Sequence, residues 1–167
     1  AARLRGTLGS SSFDGEGVPT GRTILIDGGA ANAYLYNLQH AVKDGVKSTG
    51  NASRGLSSLP DVGTSNLVLL PGEEPPERLM ENIKKGFLVT ELMGLHMINS
   101  VSGDFSLGAK GILIENGRPA GPAAGVTIAD NLIDFLKKIT SVGSDLEFFG
   151  STGAPTVVVE DVTIGGE

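Results

Sequence analysis

The sequence has no cysteine and no tryptophan, only two histidines, and no apolar run near the ~20 residues that cross a membrane as a helix. The missing cysteines exclude disulfides, thiol catalysis and Cys-ligated metal. They are compatible with a reducing compartment, so a cytoplasmic location without membrane contact is expected. Positive charge is also short. Thirteen Lys and Arg stand against nineteen Asp and Glu, a net charge of −6. A nucleic-acid binder draws much of its affinity from cations on phosphates, so no nucleic-acid partner is expected. Ala1 to Gly9 holds two Arg but no hydrophobic segment and is not a signal peptide. With no initiator Met, the 167 residues read as one domain, or at most two small lobes, of a longer or processed protein.

Glycine is abundant, at 25 of 167 residues. That suits many tight turns and left-handed positions, which points to strands and turns. With 40% hydrophobic and 19% charged residues the chain can bury a core. Arg22–Ile26 reads as a strand, Asp27-Gly28-Gly29 as a turn and Tyr34–Tyr36 as the return. A short helix is expected over Leu38–Lys43, stopped by Gly45, then an exposed loop from Lys47 to Pro60. Leu67–Leu70 is an apolar strand closed by Pro71-Gly72. Pro75-Pro76 opens a second helix that is expected to reach Lys84-Lys85 and stop at Gly86. Phe87–Thr90 and Gly111–Glu115 read as strands, the latter turned by Asn116-Gly117. A third helix is expected over Asn131–Ile139, then strands over Thr156–Val159 and Val162–Ile164. The elements do not alternate as βαβ. An α+β fold follows, with a mainly antiparallel or mixed, partly closed, barrel-like sheet and two or three helices.

Catalytic signatures are scarce. His40 and His96 form no His-Glu-x-x-His pair, Gly-x-Ser-x-Gly does not occur, and no Lys-Ser or Lys-Thr completes the glycine loop Gly9–Gly17. Asp14 and Glu16 in that loop could cap backbone or bind a cation, but the other ligands of a calcium loop are missing. The segment least like generic scaffold is Gly94–Gly111, carrying Asn99, Ser102, Gly103, Asp104, Phe105 and Ser106. Asp104 is expected to satisfy backbone N–H groups in a Ser-Gly-Asp turn. The functional alternative is a loop that presents these residues to a peptide or a partner chain.

Several stretches, taken in order, resemble one family. They are Gly86-Phe-Leu-Val-Thr-Glu-Leu-Met-Gly94, Ser102-Gly-Asp-Phe-Ser106, Gly111-Ile-Leu-Ile-Glu-Asn-Gly117, Asn131-Leu132, Val142-Gly-Ser-Asp145, Gly153-Ala-Pro155 and Val162-Thr-Ile-Gly-Gly166. Leu8–Gly17 and Lys47-Ser-Thr-Gly-Asn51 agree. Over nearly its whole length the chain resembles the C-terminal domain of the TldD/PmbA family, the modulators of DNA gyrase, in its PmbA (TldE) branch. The resemblance implies a two-member metallopeptidase system acting on small unfolded peptides. Its catalytic member, TldD, binds zinc through a His-Glu-x-x-x-His motif in an earlier domain and a Cys near the C-terminal domain's end. The loop equivalent to that Cys position, Leu146–Thr152, has no Cys.

The expectation is therefore a non-catalytic subunit domain, without catalytic, cofactor or metal residues of its own. Its partners would be a TldD-type subunit, on which the zinc is expected, and small unfolded peptides; homo-oligomerisation stays open. The contact is expected along 94–108 or the 156–160 strand, with Asn99, Ser102, Gly103, Asp104, Phe105, Ser106 and Val158 as candidates. The rival is an independent hydrolase using Ser, Asp or a bound metal. A DNA-binding gyrase regulator is disfavoured by the net negative charge.

Overall fold

The computed structural model describes Leu4 and residues 6–166. Residues 1–3 and 5, on which part of the N-terminal reading falls, lie outside the described residues, as does Glu167. Two compact units are present: Ala1–Leu70 with Glu147–Ala154, and Pro71–Leu146 with Pro155–Glu167. In chain order the elements are β1 (Ile26–Asp27), β2 (Ala30–Ala31), α1 (Leu38–Asp44), β3 (Ala52–Ser53), β4 (Asp61–Val62), β5 (Leu67–Val68), α2 (Pro76–Glu81) and β6 (Lys85–Met93). A 3-10 turn (Leu95–Met97) follows, then β7 (Asp104–Glu115), β8 (Arg118–Asn131), α3 (Leu132–Lys137), β9 (Ile139–Val142), β10 (Glu147–Phe149), β11 (Thr152–Ala154), β12 (Val157–Val159) and β13 (Thr163–Gly165). The class is α+β with mostly antiparallel sheets, as expected. Partial closure is not among the pairings: the largest sheet is open, in the order β13-β8-β7-β6.

The first unit is built from short strands and side-chain caps. Gly28 and Gly29 both take positive φ, 54° and 81°, and join β1 to β2 as a two-residue turn. The turn was legible, but its strands were not: β1 keeps only Ile26 of the expected Arg22–Ile26, and the return is Ala30–Ala31, directly after the turn, while Tyr34–Tyr36 lies in no strand. Helix α1 starts at Asn37, which is fully buried; its Oδ1 accepts the His40 N–H at 2.8 Å. Gly45 ends the helix at φ 67° and donates to the Ala41 and Val42 carbonyls. β3, inside the expected 47–60 loop, pairs with β4 just beyond it. Strand β11 runs parallel to β5 and antiparallel to β10.

The second unit is the antiparallel sheet with its helices. Asn116 (φ 50°) and Gly117 (φ 76°) turn β7 into β8, as the Asn-Gly pair demands. Leu107, Ala109 and Ile114 of β7, Val126 and Ile128 of β8, and Leu79 of α2 are buried and form the core. At about 25 cal/mol per Å² these side chains supply the main driving force for the sheet. Three expectations need correction. Helix α2 ends at Glu81, so Lys85 and Gly86 belong to β6 and not to a helix terminus. Gly86 is there because a Cβ would come within 2.6 Å of Ile83 Cγ2. Helix α3 stops at Lys137, leaving the β-branched Ile139 to open β9. The longest strand, β8, was missed because Pro119, Gly121, Pro122 and Gly125 disguise it.

Candidate partner-binding segment

Asn99 organises the 99–104 turn. Its Oδ1 accepts the N–H groups of Val101 (2.9 Å) and Ser102 (3.1 Å). Its backbone closes the loop: Asn99 N–H donates to the Asp104 carbonyl at 3.0 Å, and Gly103 N–H to the Asn99 carbonyl at 2.8 Å. Gly103 sits at φ 82°, a left-handed position that suits glycine. The expectation for Asp104 is thus filled by Asn99 instead. The Asp104 carboxylate accepts the Asn131 side-chain amide at 2.9 Å, and its own N–H donates to Ser102 Oγ at 3.2 Å. The Asn131 amide, and then Ser102, hold the Asp104 carboxyl below the usual carboxylate range.

Asn131 is the hub that sequence reasoning did not place in the site. Its Nδ2 also donates to the Ser102 carbonyl at 2.8 Å, while its Oδ1 caps α3 by accepting the Ile133 N–H at 3.0 Å. Leu132 N–H adds a bond to the Gly103 carbonyl at 2.8 Å. The available signal was an Asn directly before an apolar helical run. Phe105 packs edge-on against Phe135 of α3, with centroids 5.6 Å apart and planes at 78°. Ser106 is exposed on β7, opposite Ala129. The structure therefore brings Asn99, Ser102, Gly103, Asp104 and Phe105 together at the start of α3. What the cluster leaves exposed beside it is apolar: Leu95 (57%), Met97 (62%) and Val101 (95%).

Val158 has different surroundings, on β12 opposite Ser141 of β9. Gly143 N–H donates to the Thr156 carbonyl at 2.7 Å. In an antiparallel ladder the next bonded pair is two residues on, so Val158 turns its backbone groups toward Ser141 and Val157 turns its own outward. Asp145 fixes the start of this strand by accepting the Thr156 N–H (3.1 Å) and hydroxyl (2.7 Å). The Thr156 hydroxyl, opposed by burial, lowers its pKa.

In the other unit, Asp14 does what was expected of Asp104. Its Oδ1 accepts the Glu16 and Val18 N–H groups and its Oδ2 the Ala52 N–H, each at 2.9 Å. Burial works to raise its pKa, but these backbone donors prevail and lower it. The carboxylate is spent on backbone, so the capping alternative holds over the cation site. His40 Nδ1 lies 2.8 Å from Asn37 Oδ1, beside a helix cap.

The family model for the PmbA/TldA metallopeptidase C-terminal domain matches residues 1–166. The chain belongs to this family. Metalloprotease PmbA of Escherichia coli O157:H7 is 34% identical over 160 residues, covering 96% of this chain but 33% of that protein. A metalloprotease of Methanothermobacter thermautotrophicus is 30% identical over 172 residues, covering 95% of the chain and 38% of its own length. Among crystal structures, TldE from Thermococcus kodakarensis superposes with a TM-score of 0.85 at 31% identity, over 93% of this chain and 36% of that one. A Thermotoga maritima MSB8 protein proposed as a modulator of a DNA gyrase gives 0.91 at 38% identity, over 99% and 38%. The chain thus spans about a third of the length of these relatives.

The family name implies a metal, and the donor set among the described residues does not fit one. Among the described residues no three His, Asp or Glu side chains converge as a metal would require. Leu146–Thr152 runs into the β10–β11 hairpin, turned at Gly150 (φ 65°). Among the described residues no helix is long and apolar enough to cross a membrane.

Proposed function

We propose that this chain is a non-catalytic domain of a TldD/PmbA-type metallopeptidase complex, working in the cytoplasm on small unfolded peptides. It pairs there with a TldD-type catalytic subunit that holds the zinc, and it takes no part in nucleic-acid binding. The observation that carries this reading is the family match across residues 1–166, in a chain where the His, Asp and Glu side chains among the described residues do not converge. The likeness to TldE supports the branch. A 30% identity to the Buchnera aphidicola protein described as a metalloprotease TldD homolog keeps the partner within the same family.

The subunit contact uses the 95–106 region, where Leu95, Met97 and Val101 stand exposed beside a turn braced by Asn99 and Asn131. A braced turn offers apolar side chains at low ordering cost, which favours binding. The outward groups of Val157 are the second candidate surface.

The test mixes the chain with the TldD-type subunit, follows co-elution, and assays an unstructured peptide with and without chelator. Co-elution with chelator-sensitive cleavage only in the mixture is the expected result. Cleavage by the chain alone, unaffected by chelator, would instead establish the independent hydrolase.

A further inference from the structure

The chain carries one Asn-Gly pair, Asn116-Gly117, at the turn between β7 and β8. Asn-Gly is the dipeptide most open to spontaneous deamidation, because no side chain shields the glycine nitrogen. In that reaction the Gly117 nitrogen gives its proton to base and attacks Asn116 Cγ. The new N–Cγ bond closes a five-membered succinimide, the Cγ–Nδ2 bond breaks, and that nitrogen leaves as ammonia. Water then opens either imide bond, leaving aspartate or an isoaspartate whose main chain is longer by one carbon. Water is the only co-reactant. The turn dictates the pair: both positions sit at positive φ, 50° and 76°, where Asn and Gly are favoured. The choice that makes the hairpin therefore also makes it chemically labile.

The folded chain withholds the attack. Two positive φ values in a two-residue hairpin loop define a type I′ turn. Its first residue has ψ of about +30°, the mirror of type I. That rotation carries the Gly117 nitrogen to the far side of the Cα–C bond from the Asn116 side chain, and cyclisation needs the opposite rotation. Two hydrogen bonds oppose it: Gly117 N–H donates to the Ile83 carbonyl and Asn116 N–H to the Lys84 carbonyl, each at 2.8 Å. The second continues the β6–β7 ladder, whose bonded pairs recur every second residue from Lys84. Helix α2 closes the remaining space, since a Cβ on Gly117 would lie 2.6 Å from the Glu81 carbonyl oxygen. Leu79, 6% exposed, anchors that helix. The Asn116 side chain is itself exposed, on a cavity of about 420 Å³ shared with Glu77, Glu81 and Arg118, and it makes no hydrogen bond among the described residues. Water thus reaches the amide, and the backbone latch alone holds the reaction back. We propose that Asn116 is a latent deamidation site, released when the end of α2 lifts from the β7–β8 turn, and that the isoaspartate formed keeps the latch from closing again. An extra main-chain carbon between the two N–H groups prevents both from reaching Ile83 and Lys84 at once. The site does not depend on the peptide-processing reading.

The experiment follows the peptide spanning Asn116 by mass spectrometry while the chain ages at mildly alkaline pH, folded and in urea. Deamidation at least about tenfold faster in urea is expected, because the folded rate scales with the open fraction. Leu79→Ala loosens α2 and should raise the folded rate about tenfold. Ile128→Ala, equally buried but paired with Leu107 away from the turn, should leave that rate unchanged. The isoaspartate chain, returned to native buffer, should lose amide protection along Pro76–Glu81 while β8 keeps its own. Should Leu79→Ala unfold the chain, the wild-type rates in the two states still decide. Equal rates folded and in urea, or no product in urea, would overturn the proposal. So would equal acceleration by the two alanines, or an isoaspartate chain whose α2 is as protected as before.

Discussion

The antiparallel sheet has two stretches with no strand on their outer side, and they are built differently. One is β6. The other is the first half of β8, because β13 pairs only with Thr127–Ala129. On β8, Pro119 stands opposite Ile114 and Pro122 opposite Ile112. Both isoleucines have their backbone groups committed to β6 by the alternation that starts at Lys84. The two proline nitrogens thus point away from β7, where a missing N–H costs no ladder bond. They blunt this edge against other strands. Strand β6, in contrast, has no proline in Lys85–Met93 and keeps its outward donors at Lys85, Phe87 and Val89. Its defences are a register shift between Val89 and Glu91 and the exposed Lys110–Glu91 pair. The sheet thus carries one edge blunted by proline and one that keeps its outward donors.

The largest effect expected is at the seam that holds β6 to the sheet. Gly111→Ala would place a methyl 1.9 Å from the Leu88 carbonyl oxygen, backbone that no rotamer change can move. A cost of about 3 kcal/mol is expected in urea unfolding, with β6 losing amide protection before β8. A folded variant with unchanged midpoint would mean that β6 is not held as described. Next comes a pair of prolines one residue apart. Leu88→Pro removes an inward donor and should cost about 1–3 kcal/mol, while Val89→Pro should leave the monomer's midpoint nearly unchanged. Equal losses at both positions would refute the inward and outward assignment.

What the sequence made legible was turn chemistry, the α+β class and the starts of the three helices. Gly28-Gly29, Gly45 and Asn116-Gly117 each acted as read, because positive φ belongs to the residue itself. The β8 strand was hidden by the very prolines that guard it: Pro reads as a strand breaker unless the outer side is known to be empty, and that is a tertiary fact. Likewise Lys84-Lys85-Gly86 resembles a helix terminus, yet the chain leaves α2 at Glu81 and pairs with β7 at once. At the candidate site the composition of 99–106 was legible, but not its brace. Asn131 reaches Ser102 and Asp104 from a strand end 29 and 27 residues further on.

Removing the guard on β8 should show itself in association more than in stability. Pro119→Val with Pro122→Val restores two outward donors and loosens the unfolded chain, costing about 0.4–1 kcal/mol per site. Light scattering should then report concentration-dependent association stronger than the wild type's, since the β8 edge would regain outward donors. A doubly substituted chain with wild-type mass would show that the prolines serve only the turn.

Acid provides the smallest and most local contrast between the two edges. The far end of β8 is fastened by Asp130, whose Oδ2 accepts from Lys138 Nζ at 2.7 Å and whose Oδ1 accepts the Asn131 N–H at 2.8 Å. Lys138 also donates to the Asp161 carbonyl at 2.9 Å, tying in the approach to β13. Lys138, and then the Asn131 N–H, lower the Asp130 pKa, and Asn131 and Ser102 lower that of the neighbouring Asp104. A carboxylate with a depressed folded pKa stabilises fully above its unfolded value, about 3.9, and loses that contribution as pH falls through the folded value. The β8–α3 corner should therefore loosen as pH falls below the unfolded value, whereas the Gly86–Leu88 stretch of β6, with no carboxylate in its pairing to Ile112–Ile114, should not. Hydrogen exchange followed by NMR checks this: protection at Asn131 and Leu132 should fall before that at Leu88. Asp130→Asn at neutral pH should reproduce the loss, because the neutral amide gives up the ion pair to Lys138. Uniform loss of protection across the sheet, or an Asp130→Asn chain as protected as wild type, would show that the corner is held by packing such as Phe105 on Phe135 and not by its charges.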